Sequence, residues 1–214
     1  MPVLSFFEKN PIVLPPVRVT YYERNLPHWH PEGVTLFVTW RLFGTWAPFL
    51  QRQPVAEPGR AFVAYDRVLD RANAGPKWLR NPDVAQCVVD ALRYGDEHLQ
   101  LYTLIAFCVM PNHVHVVFQP IQPVPKITRS IKGFTARAAN KIIGRTGERF
   151  WQDESYDHAI RNSAELNKII RYTERNPVKA GLIDIPEHWL WSSAFGLPQR
   201  GQDKDNTGTN ACAT

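Results

Sequence analysis

Apolar and polar positions alternate clearly in one early stretch of the chain. In residues 33–42, GVTLFVTWRL, Leu36, Val38 and Trp40 fall on one side, with Thr35, Phe37 and Thr39 on the other. A period of two predicts a strand that is apolar on at least one face. Residues 99–109, LQLYTLIAFCV, form a long apolar run of β-forming residues, followed after Met110-Pro111-Asn112 by HVHVVFQ. These two runs predict an antiparallel hairpin. Residues 154–161, ESYDHAIR, predict a further short strand.

Between the strands the period changes to that of a helix. Phe62, Tyr65, Val68, Leu69 and Ala72 recur at helical spacing until Gly75-Pro76 interrupts. Asn81-Pro82 then offers an N-cap and an N1 proline for a stripe of Val84, Cys87, Val88, Ala91 and Leu92, with Gly95 as its expected end. From Lys126 to Ile143 one face is expected to carry Ile127, Ile131, Phe134, Ala138 and Ile142 inward. Ser163 is the expected cap of a last long helix with Leu166, Ile169, Ile170 and Thr173 inward, ending near Asn176-Pro177. The order strand, helix, strand, strand, helix, strand, helix implies an α+β protein. Its expected architecture is a ferredoxin-like sandwich, an antiparallel sheet with helices mainly on one face. Residues 1–30 are expected to be an irregular arm, 31–196 the domain, 44–60 a loop or insertion, and 197–214 a disordered polar tail.

Composition narrows the function classes. With 44% hydrophobic and 12% aromatic residues among 214, the chain can bury a core. There is no run of 18 apolar residues and no secretory leader pattern, so the expected location is cytoplasmic, with no membrane association. Three cysteines, Cys87, Cys108 and Cys212, are too few and too scattered for a disulfide framework or a zinc knuckle. An excess of 25 Lys and Arg over 20 Asp and Glu is compatible with a polyanionic partner without establishing one.

Two stretches carry candidate chemistry. His113 and His115 stand at i and i+2 of a strand, so both imidazoles point to one side. They supply two-thirds of a typical divalent-metal site, although an isolated His pair also occurs on plain sheet faces. In KIIRYTERNPVKAGL, Tyr172 has Lys168 and Asn176 as its i−4 and i+4 neighbours, so a phenol, an amine and an amide share a helix face. The phenol is a possible nucleophile. At neutral pH roughly one free tyrosine in a thousand is phenolate, so it needs help from a metal, a lysine or water. The Asn176 amide is either a third metal ligand or the N-cap of the turn Pro177–Ala180.

These pieces together resemble the REP-associated tyrosine transposases, within the single-tyrosine transposases of the HUH endonuclease superfamily. The matching stretches are MPNHVHVVF, FWQDESYDHAIRN, RYTERNPVKAGLI and WLWSSA, in family order, over about Arg24 to Ala194. The resemblance implies a ferredoxin-like HUH core, with His113 and His115 holding Mg²⁺ or Mn²⁺. It implies Tyr172 as the nucleophile towards a DNA phosphodiester and Asn176 as a polar third ligand, with Lys168 able to stabilise charge near the phenolate. The implied activity is that of a single-strand endonuclease and strand transferase working through a 5′-phosphotyrosine link, nucleoid-associated and acting on single-stranded or hairpin DNA from REP-like repeats. It does not choose between monomer and homodimer. Arg129, Lys132, Arg137, Lys141, Arg145 and Arg149 are the candidate phosphate contacts. Trp151 and Tyr156 either stack on bases or pack inside; Trp189 and Trp191 read as core. The same layout also admits a catalytically silent nucleic-acid-binding module, or a metal-dependent phosphodiesterase that uses water and leaves Tyr172 structural.

Overall fold

The structure, a computed structural model, describes residues 33–45 and 75–196 in full, and the backbone of 19–23 and 27–31. The helix expected over 62–72, most of the 44–60 loop, Cys212 and the 197–214 tail lie outside the described residues. Within the stretch expected to be an irregular arm, strands β1 (Val19–Glu23) and β2 (Pro27–Pro31) pair as an antiparallel hairpin. The prolines of this stretch obscure the pattern in sequence, because they suppress the period without preventing a two-stranded ladder.

The domain is an antiparallel sheet of four strands, β3 (Leu36–Leu42), β4 (Tyr102–Val109), β5 (His113–Pro120) and β6 (Trp151–Ala159), in the order β4-β5-β3-β6. Helices α1 (Pro82–Glu97), α2 (Val124–Ile142) and α3 (Ser163–Glu174) connect or follow them. A short turn, α4 (Asn176–Lys179), comes directly after α3. This is the α+β architecture expected from the alternation of periods.

The two faces of the sheet divide the labour. Leu36, Val38 and Trp40 of β3 and Val114, Val116 and Phe118 of β5 point to the side covered by α1 and α2. Val84, Val88 and Leu92 of α1 and Ile127 and Ile131 of α2 meet them there and form the main core. The opposite face holds a smaller cluster, with Phe37, Ala106, Val117 and Ile160 under Leu166, Ile169, Ile170 and Tyr172. The two-residue period of β5 therefore sends His113 and His115 to the α3 side, together with Val117.

Local signals explain the helix boundaries, with some corrections. Asn81 caps α1 as expected, its Oδ1 accepting from the Asp83 N–H at 3.0 Å. Gly95 does not end α1, which runs on to Glu97. A Cβ at Gly95 would lie 2.6 Å from the Tyr102 hydroxyl, which donates to the Leu92 carbonyl at 2.8 Å. Glycine is needed at that position for close approach, and not as a terminator. Helix α3 is capped one residue earlier than expected: Asn162 Oδ1 accepts from Glu165 N at 2.9 Å, and Glu165 Oε2 accepts from Arg161 N at 2.7 Å.

Helix α2 is rotated relative to its predicted face. Val124, Ile127, Ile131, Thr135 and Ala139 are buried, while Phe134 and Ile142 are 53% and 42% exposed. Thr135 is inward because its Oγ1 accepts from the Trp151 indole N–H at 2.9 Å and donates to the Ile131 carbonyl at 2.7 Å. A satisfied hydroxyl can occupy a core position that hydropathy alone assigns to a larger apolar side chain.

The outer edge of β4 is covered by residues 189–193. Val109 N donates to Trp191 O at 2.8 Å, Ser193 N donates to Phe107 O at 2.9 Å, and Cys108 bridges Ser192. Trp189 donates from its indole to Val109 O at 3.0 Å. Trp189 and Trp191 are half-buried and act as a clasp on that edge more than as core.

Candidate active site

β5 is an interior strand, hydrogen-bonded to β4 on one side and β3 on the other. Its backbone is held by both neighbours, so His113 and His115 project from a rigid base. Their ring centroids are 4.6 Å apart and their Nε2 atoms 3.0 Å apart, both side chains being fully buried. His115 lies opposite Thr39 of β3 and Cys108 of β4, while His113 lies opposite Arg41.

The buried neighbours of the two rings are polar. His113 Nδ1 is 2.6 Å from Asn112 Oδ1, and His115 Nδ1 is 2.7 Å from Thr39 Oγ1. Asn176 Nδ2 lies 3.0 Å from His115 Nε2. The Nδ1 atoms are thus engaged from outside, and the two Nε2 atoms face each other at 3.0 Å. Adjacent ligands of an octahedral ion with bonds of about 2.1 Å lie about 3.0 Å apart, so the spacing suits an ion. Thr39 and Asn112 hold the outer nitrogens as partners of metal-bound imidazoles do.

The N-cap role open to Asn176 in sequence is not borne out. The turn α4 is capped by Arg175 with no side-chain hydrogen bond, and the Asn176 side chain is fully buried against His115. Helix α3 ends at Glu174 and Pro177 restarts the chain as a separate turn, a break that swings Asn176 towards the sheet. Its amide presents Oδ1 to an ion after a half-turn about its last bond. Among the described residues, no third His, Cys, Asp or Glu joins the histidine pair in a metal-sized cluster.

Tyr172 reaches the same place from α3. Its half-buried ring stands edge-on to His115 at a centroid distance of 6.2 Å and to Phe37 at 6.3 Å. Lys179, not Lys168, is the lysine at the phenol: its Nζ lies 3.6 Å from the Tyr172 ring centroid. Lys168 is exposed on α3. Helical spacing singled out the i−4 lysine, whereas the turn at Pro177 brings the i+7 lysine back over the ring. Only the restart of the chain at Asn176-Pro177 hints at this in sequence.

The six cations proposed as phosphate contacts divide three ways. Arg129, Arg137 and Lys141 are exposed on α2. Lys132 donates to the carbonyls of Gln152 and Asp153 at 2.7 and 3.0 Å, so it serves the β6 backbone. Arg145 and Arg149 lie beyond α2, stacked on Trp78 and Phe43. Trp151 is buried and packs against Trp40 and Phe150, and Tyr156 is half-buried beside the α3 cluster. Burial, with Asp157 and Glu165 adding to it, pushes the Tyr156 phenol well above the ordinary tyrosine range, so it stays neutral.

Residues 83–176 match the family described as "Transposase IS200 like". Over 108 residues the chain is 29% identical to a protein of Haemophilus influenzae described as a "Putative REP-associated tyrosine transposase". That match spans 45% of this chain and 61% of the relative, so only part of the relative's length is represented. Among solved structures, a REP-associated tyrosine transposase bound to a REP hairpin aligns with a TM-score of 0.50 at 20% identity, over 81% of each chain. Residues 83–176, which carry the histidine pair, Tyr172 and Asn176, therefore match the IS200-like transposases, and the resemblance to the REP-associated tyrosine transposases stands.

Proposed function

We propose that this protein is a metal-dependent endonuclease and strand transferase for single-stranded or hairpin DNA. The observation that carries this reading is the meeting, within one chain, of three donor side chains at 3.0 Å spacings with the Tyr172 ring 6.2 Å from His115. The family match and the hairpin-bound structural relative support DNA as the substrate.

His113, His115 and the Asn176 amide oxygen would hold Mg²⁺ or Mn²⁺. When bound, the ion would polarise the scissile phosphate. Thr39 and Asn112 engage the two Nδ1 atoms, which would leave both Nε2 atoms for the ion. Both imidazoles are fully buried, so a phosphate reaches them only after the side chains over them part. Tyr172 attacks phosphorus through its phenolic oxygen as the phenolic proton leaves to solvent. The bond from phosphorus to the 3′ oxygen breaks, and that oxygen leaves with a proton as a 3′ hydroxyl. A 5′-phosphotyrosine remains, and a new 3′ hydroxyl can reverse the step. One phosphodiester is exchanged for another, so no nucleotide cofactor is consumed. Lys179 steadies the phenol ring throughout.

The test is an adduct assay on a hairpin oligonucleotide with Mg²⁺ or Mn²⁺. A covalent protein–DNA species is expected from the unaltered chain and not from Tyr172→Phe. Cutting that survives Tyr172→Phe would point to water as the nucleophile. Hairpin binding with no cutting by either protein would point to a silent binding module.

A further inference from the structure

At the end of the sheet that carries His113 lies a surface that the chemistry above does not use. Arg41 of β3 pairs with His113, Leu42 N donates to Asn112 O at 2.9 Å, and Phe43 N donates to Phe150 O at 2.8 Å. Phe43 thus follows Arg41 by two residues, roughly 7 Å of extended chain. Over the Phe43 ring sits the Arg149 guanidinium, 5.1 Å from the centroid. The Arg145 guanidinium lies 4.3 Å above Trp78, which also stacks on Phe150 at 5.5 Å.

Both arginines are held in place. The turn that carries them is stapled by Asn140, whose Nδ2 donates to Glu148 O at 2.6 Å and whose carbonyl accepts from Arg145 N at 2.7 Å. Gly144 and Gly147 supply its left-handed residues at φ +70° and +92°. Arg145 Nε is buried without a hydrogen-bond partner among the described residues, and the guanidinium carbon lies 4.3 Å from the Trp78 ring centroid. The side chains of Arg145 and Arg149 are still 35% and 63% exposed. Their acidic partners, Glu148 and Asp153, are more exposed than half and form surface ion pairs of little net worth.

We propose that these two guanidinium groups, each placed over an aromatic ring, form a shelf on which unpaired bases stack. The occupant, a single DNA strand, rests on the function proposed above; the shelf itself rests on the two cation–ring contacts. A flat cation backed by a ring loses little freedom on binding and offers one face to a planar partner. Unpaired bases expose such faces, whereas a duplex keeps them inside its stack. A shelf meant only to attract phosphate charge would not need rings behind its cations or tolerate two carboxylates beside them.

The measurement is fluorescence anisotropy of the full chain with a labelled oligothymidine about 15 nucleotides long and with a blunt duplex of the same length. Replacing both arginines by lysine keeps the charge and removes the planes. The double variant Arg145→Lys/Arg149→Lys is expected to bind the single strand about tenfold more weakly and the duplex almost unchanged. Asp153→Asn, which frees Arg149, is expected to tighten strand binding. If the double variant binds the strand as well as the unaltered protein, or loses strand and duplex equally, the shelf is refuted. Should the double variant melt early, Arg149→Lys alone carries the test, since that side chain is mostly exposed. Adduct formation by the unaltered protein, scored in parallel, reports on the catalytic reading and is independent of these affinity ratios.

Discussion

Thr39 illustrates how much one side chain outside the reacting set decides. Its hydroxyl is hydrogen-bonded to His115 Nδ1 at 2.7 Å in a fully buried position, with Nε2 of the ring facing His113 and Asn176. Thr39→Val keeps the shape and removes that hydrogen bond. Divalent-ion affinity is expected to fall by roughly 10- to 100-fold, the usual effect of losing such an outer partner, as read by isothermal titration with Mn²⁺. An unchanged affinity would mean that Thr39 does not support metal binding at the histidine pair. Lys179 is the second residue to test. Its ammonium stands on the Tyr172 ring face, so Lys179→Ala is expected to slow adduct formation by about tenfold, and Lys179→Arg to restore most of it, with hairpin affinity shifting less than the rate. A loss in affinity with no loss in rate would assign Lys179 to DNA binding and not to positioning Tyr172.

At the scale of elements, the decisive piece is α3 with its abrupt end. The helix is pinned at its start by Glu165, which accepts from Arg161 N and pairs with His158 of β6 at 2.9 Å. Burial pushes the Glu165 carboxyl up, but the Arg161 amide, the His158 hydrogen bond and the nearby positive charges outweigh it and hold it below the ordinary carboxylate range. A carboxyl depressed in the folded state stabilises fully above its unfolded value of about 4.3, and that contribution is lost as pH falls through the folded value. The stability advantage of the unaltered chain over Glu165→Gln, measured by urea unfolding, is therefore expected to be steady near neutrality and to shrink below about pH 4. A constant difference down to pH 3 would remove the latch. At its other end α3 stops at Glu174, and the restart at Pro177 aims Asn176 at the histidines and Lys179 at Tyr172. Had the helix continued, its 100° steps would have put Asn176 in the row that Lys168 and Tyr172 share on α3, the arrangement that spacing alone predicts.

For the molecule as a whole, the sheet separates a structural face from a chemical one. α1 and α2 close the main core on one side, while α3 brings Tyr172 to the histidines on the other. Helix α2 contains Lys126, Arg129, Lys132, Arg137 and Lys141 and no acidic residue, which gives its outer surface a single sign of charge. If Arg129, Arg137 and Lys141 meet DNA phosphates, changing all three to glutamine is expected to lower the slope of log affinity against log salt by about 2 for a single strand. An unaltered slope would leave those cations as solvated surface.

The periods of two and of 3.6, together with the caps and prolines, determine the elements and their order in this protein, because backbone geometry repeats locally and reads directly from the spacing of apolar residues. They also determine that His113 and His115 share a face, since a strand allows nothing else. What the sequence left open was which buried position goes to a polar side chain, as with Thr135, and which lysine meets the tyrosine. Only the tertiary structure decided that Asn176 turns inward to His115, that Lys132 serves the β6 backbone, and that Arg145 and Arg149 lie over aromatic rings. Each of these depends on contacts between residues distant in the chain, where direction is set by packing and by hydrogen bonds that must be satisfied once water is excluded.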